Sequence, residues 1–484
     1  MKIKFLKNNN EGLILSGVLV FAFIALIIVT GITSWFVVVF KANKNLVANE
    51  QAFHIAEAGI EYYRWHLAAD NTDFTDGTGE DGPYVHNFSD KFGDVVGSFS
   101  LDITPPESGS TLTVIESTGN VLSQPDVSKT IRVKLAIPSF ASFAAVSNET
   151  IRFGEGTEVY GPVHSNGGIR FDGFSHNIIS SARNTYDDPD HSGSFEFGVH
   201  THVNPVDPTP PSDVPDRPDV FAAGREFPVA SVDFSGITSD LSNYKELAID
   251  DGLYFGDSNR EGYQIVLKTD DTFDLYTVRR LVSDRNSGCY TISNQDGWGT
   301  YSIDRRTFVD NYDLPNNNII FLEDDVWVEG QIDSARVTIV AASFPDVSST
   351  RKSITVNNDL LYSRYDGTDS IGLIAQKNIN VGLISQDNLQ IDAGLISQHG
   401  RVGRYYYAYS WRNRNSDCAD YYTRDEVTIN GMIASHDRYG FAYTNGTGYE
   451  DRIINYDASF LYNPPPHFPL ISDIYEIVSW EELD

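Results

Sequence analysis

The stretch IGLIAQKNINVGLISQDNLQIDAGLISQHGRVGR, residues 371–404, decides the fold. GLIAQ starts at Gly372, and GLISQ starts at Gly382 and again at Gly394. Self-similarity at short intervals is the mark of a solenoid. The unit is a short apolar strand, a glycine that permits a tight corner, and another short strand. Stacked units of this kind bury Ile, Leu and Val in one continuous core. Asn378 and Asn388 hold matching places in neighbouring repeats, which predicts a side-chain ladder. The expected fold here is a parallel β-helix or a close relative. The alternative is an irregular antiparallel sandwich whose hairpins happen to look alike.

Working outward, the same grammar recurs in VWVEGQIDSARVTIVAAS (326–343), SITVNNDLLYSR (353–364) and VTINGMIAS (427–435). It also appears earlier, in EVYGPVHSNGGIRFDG (158–173). The solenoid is therefore expected from 139–202 and 321–435. Between them, 203–230 is proline-rich and reads as a stiff linker. Residues 231–320 read as a mixed α/β insertion. It has a short helix over 239–250 and two strands around a polar turn over 263–278. The tail, 436–484, carries a triple proline flanked by aromatic residues. It is expected to cap the open end of the solenoid, with a peptide-like ligand segment as the alternative.

The other end of the chain is different. Residues 1–12 are polar and basic, and 13–40 contain no charge. As a helix, 13–40 is about 42 Å long, enough to span a bilayer. It is too long for the apolar core of a secretory signal, and no A-x-A-like site closes it, so retention is expected. Lys2, Lys4 and Lys7 favour a cytoplasmic N-terminus, against Lys41 and Lys44 on the other side. Nothing stops the helix after Phe40, so an amphipathic half is expected over 41–68. Leu46, Phe53, Ile60 and Leu67 recur every seven residues, with Ala56 and Tyr63 between them, and predict one packing stripe.

The basic leader, Glu11–Gly12, the long apolar helix and AxxxAEAGIE from Ala52 to Glu61 together resemble the PilX-type N-terminal region of minor type IV pilins. The resemblance covers roughly the first 65 residues. It implies cleavage by a prepilin peptidase between Gly12 and Leu13, and packing of the apolar helix into a filament core. Major pilins carry a glutamate at the fifth mature position. Here that position is Gly17, which fits minor pilins instead. Alternating segments at 97–104, 111–117 and 130–137 then read as half-buried strands under the amphipathic stripe. With the helix they make a pilin-like α+β module over 69–138. The fold class expected for the whole chain is mainly β with a long N-terminal helix: a pilin-like module followed by a solenoid. The extracytoplasmic part resembles large pilin-like membrane proteins with β-rich passengers.

The formal net charge of −32 repels phosphate, so nucleic acid is not an expected partner. Phosphate-binding glycine loops and the common hydrolase motifs are absent from the sequence. The acidic loop 69–83 lacks the carboxylate spacing of an EF-hand and reads as solvated. DDPDHSGSFEFGVHTH (187–202) is the best metal candidate. His200 and His202 would share a strand face, with Asp190 and His191 nearby. Two-apart histidines also arise on solvated strands, so no metal or cofactor is expected. His164 reads as a corner histidine held by hydrogen bonds, and Asp187–Asp188 and Asp324–Asp325 as poor dyads, since neighbours on a strand face opposite ways. GRYYYAYSWRNR (403–414) can stack sugars or cover the solenoid's side. Cys289 and Cys418 lie in polar loops and can pair in an oxidising exterior; the alternative is two unrelated thiols.

These readings lead to a non-enzymatic minor-pilin-like protein, anchored in the cytoplasmic membrane and displaying its β-domain for pilus assembly or adhesion. The expected partners are the membrane, pilin subunits and their assembly machinery, a prepilin peptidase, and a surface glycan or other cell-surface ligand. The alternatives are an anchored carbohydrate-binding or polysaccharide-cleaving β-helix protein, and a surface protein unrelated to pili.

Overall fold

A computed structural model describes residues 11–107, 109–191, 193, 195–234, 236–290, 295, 297–408 and 416–483. The basic leader up to residue 10 lies outside them. A single helix, α1 (Glu11–Ala69), carries both the apolar and the amphipathic segments without a break. No proline interrupts it. The chain divides into two compact units. The first comprises Met1–Thr104, Thr113–Lys134 and Ser479–Asp484; the second comprises Pro105–Leu112 and Leu135–Val478.

In the first unit, β1 (Tyr84–Ser89), β2 (Val95–Thr104), β3 (Thr113–Val121) and β4 (Gln124–Ala136) form a sheet in that order, with the chain's last strand, Glu476–Leu483, beside β4. The pairs β1–β2 and β2–β3 are antiparallel. Strict alternation of burial along β3 gives the sheet one apolar face. Ala48, Ala52, Ile55, Ala56, Ile60, Tyr63 and Leu67 of α1 are buried. Leu46 is not: it is 66% exposed. At about 100° per residue, Leu46 sits some 200° round the helix from Ala48 and faces away from the stripe. The predicted seven-residue seam therefore begins too early. Phe53 lies on the flank of the stripe, half-buried, with its ring 5.8 Å from Trp480.

The second unit is a parallel β-helix with three faces. One face stacks Leu253–Phe255, Ile319–Leu322, Arg336–Ala341, Ser370–Ala375 and the ends of Asn388–Ser397 and Thr423–Ser435. The next strands on that face are Ala145–Ser147, Val163–Ser165, Ile179–Ser181 and Arg225–Glu226. The stack thus runs from 253 to 456 and continues with 145 to 226, the reverse of chain order. The third face makes the same junction, where Gly448–Tyr456 pairs with Thr157–Tyr160. Alternate side chains such as Ile320, Leu322 and Leu373 point into the interior core. Their neighbours Ile319, Phe321 and Ile374 join an outer cluster with Phe234, Leu241, Tyr244, Ala248, Phe460 and Phe468. Helix α2 (Gly236–Asp250) and the proline-rich tail segment supply that cover. Burial on both sides explains why these strands read as unbroken apolar runs.

Several sequence expectations change. Gly372 and Gly394 stack in register, one rung apart. A Cβ at Gly394 would lie 2.7 Å from the Phe468 ring, so this repeated glycine makes room for the covering tail. Gly382 falls after the strand Ile379–Val381, so the middle GLISQ is not a rung strand. Asn378 and Asn388 do not stack, because a ten-residue step is shorter than a rung; Asn388 pairs with Glu426. The polar ladder is Asp392, Asn430 and Asn455, in register and linked by bonds of 2.7 and 2.8 Å.

The segment 231–320 is not an insertion. Gly262–Leu267 pairs in parallel with Val326–Ile332 and forms part of the stack. Thr272–Leu281 and Ile303–Asp313 add antiparallel strands beyond it and close that end. The 203–230 linker is also structural: Val220 and Phe221 enter the core, and buried Asp207 pairs with Arg217 and Arg225. The tail 436–484 is no end cap. It gives one rung strand, a side cover and the last strand of the first unit's sheet.

Candidate functional site

Gly12 and Leu13 lie in α1, whose described part runs from Glu11 to Ala69. Beyond them, the large apolar side chains from Ile14 to Phe40 are 37–77% exposed. The helix is long and apolar enough to cross a membrane, by length and composition. Exposed hydrocarbon on this scale is unstable in water and marks a lipid or protein contact. Towards its C-terminal end the helix is fixed by polar contacts. The Tyr63 hydroxyl donates to the Asp73 carbonyl at 3.0 Å, and His66 Nε2 meets Asp73 Oδ2 at 2.9 Å. Asp73 also accepts the Thr75 and Gly77 N–H groups, which hold its carboxyl at about 2. Asp76 is engaged by Tyr62 and His86. The carboxylates of the 69–83 loop thus brace the helix end.

The histidine-rich segment folds into a short hairpin, Thr185–Asp187 against Phe195–Phe197, followed by the strand Val199–His200. It gathers Asp188, His200 and His202, each offering one ligand atom within 4.8 Å of the others. A second trio, His191, Glu196 and His202, overlaps it. Asp190, expected here, turns away to Arg438 at 2.6 Å and Arg152 at 3.7 Å. From sequence Asp188 reads only as half of a poor Asp187–Asp188 dyad, and Glu196 carries no signal of its own; the hairpin's register brings both to the histidines. Desolvation pushes the Asp188 carboxyl up, but His200, the Asp190 N–H and Arg170 outweigh it and hold it at about 2. Desolvation, then Arg170 and His200, push the His202 imidazole down.

A cleft of about 740 Å³ beside this cluster is lined by Arg152, Arg170, Arg401, Arg438 and Arg452. It is not a free anion site. Asp172 and Asp190 pair with Arg152, Arg170 and Arg438, and Arg452 donates to the carbonyls of Tyr449, Glu450 and Glu155. His164 is buried between Ser180 at 3.0 Å and Asn166 at 3.1 Å, and desolvation pushes its pKa down. Asp324 accepts from the Ser258 N–H and hydroxyl and pairs with Lys352. Desolvation pushes the neighbouring Asp325 carboxyl up to about 6, against the Ser353 N–H and Lys352. Each carboxylate is thus held by its own N–H or hydroxyl donors, with the Lys352 charge acting on both.

Cys289 and Cys418 are joined in a disulfide, with Cα atoms 5.1 Å apart. It ties 284–290 to the short helix Asp417–Tyr421. Tyr405 and Tyr407 pack in the same apolar cluster as Cys418 and are buried. Tyr405 stacks on Tyr301 at 5.5 Å, and Arg404 is buried beneath. Tyr405 and Tyr407 are therefore core, while Tyr406 between them is half-buried with its ring 5.0 Å from Tyr443. Residues 409–414 of the stretch lie outside the described residues.

No protein-family model matches the chain, and no curated protein matches it. Among solved structures, the chain is similar to the competence-associated pilin ComZ from Thermus thermophilus. The identity is 12%, the alignment covers 90% of this chain and 97% of that one, and the TM-score is 0.30. A likeness that weak carries no argument about function.

Proposed function

We propose that this chain is a non-enzymatic, minor-pilin-like component of a type IV pilus or related filament system. In this reading α1 holds it in the cytoplasmic membrane with the N-terminus inside. A prepilin peptidase cuts between Gly12 and Leu13, pilin subunits pack on the apolar half, and the β-helix is displayed outside for assembly or adhesion. One observation carries the reading: a single unbroken helix is apolar and bare over 14–40, then docks from Ala48 onward on a small antiparallel sheet. A plain anchor needs no such continuity, whereas a helix that moves from lipid to filament core does.

The test is the intact mass and N-terminal sequence of the protein, taken from membranes and from sheared surface filaments. A mature start at Leu13, with the protein in the sheared fraction, supports the proposal. An intact leader confined to membranes would overturn it in favour of an ordinary surface anchor.

A further inference from the structure

Three buried ligand atoms meet without hydrogen-bond partners: Asp188 Oδ2, His200 Nε2 and His202 Nε2. Burying a polar atom unpaired forfeits its hydration without return, and native interiors rarely tolerate it. Three such atoms at one point call for a shared partner. The side chains of Asp188 and His200 are 3% and 0% exposed, so bulk water does not serve them.

Each ligand is oriented by its other polar groups. Asp188 Oδ1 accepts the Asp190 N–H at 3.0 Å, which leaves Oδ2 for the cluster. His200 Nδ1 lies 3.3 Å from the Tyr186 hydroxyl, which leaves Nε2. The backbone N–H of His202 donates to Asp172 at 2.8 Å and fixes the start of its side chain. Such outer contacts set the tautomer and aim of metal-binding imidazoles.

His200 Nε2 and Asp188 Oδ2 stand 3.5 Å apart. With zinc–ligand bonds of roughly 2.0–2.2 Å, neighbouring ligands of a tetrahedral site stand about 3.3–3.6 Å apart. A bare His–Asp ion pair fits less well. The contact lacks hydrogen-bond alignment, and it leaves His202 Nε2 unsatisfied. Arg170 approaches the same oxygen at 3.8 Å, but Asp172 holds its guanidinium at 2.7 Å.

We propose that Asp188, His200 and His202 bind one Zn²⁺, with the fourth position taken by water or by His191. Two imidazoles and one carboxylate suit zinc, whereas calcium and magnesium favour all-oxygen sites. The ion would pin the 185–197 hairpin to the strand Val199–His200 and to His202 just after it. The expectation of no metal rests on two-apart histidines lying on a solvated strand, with Asp190 as the candidate carboxylate. The structure buries His200 and supplies Asp188 instead.

The test uses the full chain in detergent, stripped with a chelator, desalted and equilibrated with zinc chloride in millimolar magnesium. The magnesium occupies loose sites on the acidic surface. One zinc per chain is expected, with an X-ray absorption spectrum showing two imidazoles, or three where His191 takes the fourth position, in a sulfur-free shell, and a higher melting temperature. Asp188→Asn, nearly isosteric, and His202→Gln, at a less buried position, are expected to weaken binding at least about tenfold, or 1.4 kcal/mol. Wild-type protein that keeps no zinc overturns the proposal, as do variants that keep as much as wild type. Should both variants misfold, the wild-type spectrum decides: a shell with fewer than two imidazoles overturns the site.

Discussion

Gly119 of β3 lies directly under Ala52 of α1: a Cβ built on Gly119 would fall 2.0 Å from the Ala52 carbonyl oxygen and 2.6 Å from the Ala56 nitrogen. Both obstacles are backbone, so neither can rotate away. Gly59 makes the matching approach from the helix side, where a Cβ would meet Ser117 Oγ at 2.2 Å. The helix and sheet of the first unit are in contact through these two glycines. The glycine in AEAGIE thus has a packing reason as well as a family resemblance.

Gly119→Ala is therefore expected to destabilise the first unit by about 1–3 kcal/mol, the usual cost of overpacking. Limited proteolysis of the full chain reads it out, as faster cutting within 41–69. A variant as resistant as wild type would mean that the helix rides higher than described.

The two ends of the predicted stripe separate under substitution. Ile60 is 3% exposed, so Ile60→Ala is expected to cost about 2–5 kcal/mol. Leu46→Ser faces outward and is expected to stay within about 0.5 kcal/mol of wild type in the same assay. Equal losses at both positions would restore the seven-residue seam and contradict the stripe that starts at Ala48.

How much of this was legible in the sequence depended on range. The helix, the alternating strands and the solenoid rungs announce themselves through local periodicity, and GLIAQ and GLISQ do mark neighbouring rungs at Gly372 and Gly394. Distance along the chain hid the rest. Nothing local to 145–226 says that these strands follow 456 in the stack, because a parallel rung needs only a compatible strand beside it. The 262–267 strand looked like part of an insertion, since its partner begins almost 60 residues later. The Asp188–His200–His202 cluster depends on hairpin register, which period and composition do not encode. Leu46 was misplaced by a rule of seven, because a straight helix drifts about 20° per heptad.

Asp325 gives the β-helix a pH signature. Its carboxyl stands at about 6 in the folded chain, against about 3.9 unfolded. A raised carboxylate favours folding below the unfolded value, and that contribution is lost as pH rises through about 6. Asp324, Lys352 and Lys377 are the charged groups that face it. Asp325→Asn keeps an acceptor for the Ser353 N–H while removing the ionised state. It is expected to raise the melting temperature by a few degrees above pH 7 and to change nothing below pH 4. A variant equally stable or less stable above pH 7 would show that the ionised form is already well served.

Ile27 lies in the bare apolar half of α1 and is 56% exposed. An aspartate near the middle of a span costs about 2.5–3.5 kcal/mol for membrane insertion. Each Leu, Ile, Val or Phe returns about 0.3–0.6 kcal/mol, so the many others in 14–40 offset one charge. Ile27→Asp is therefore expected to remain in the membrane fraction. Packed among the helices of a filament, the same carboxylate would be buried without a partner. The variant is expected to vanish from sheared filaments while Ile27→Leu enters them like wild type. Immunoblots of the two fractions, compared for the three proteins, measure this directly. Equal incorporation of Ile27→Asp would mean that this half of the helix is not filament core and would remove the main support for a pilin-like role.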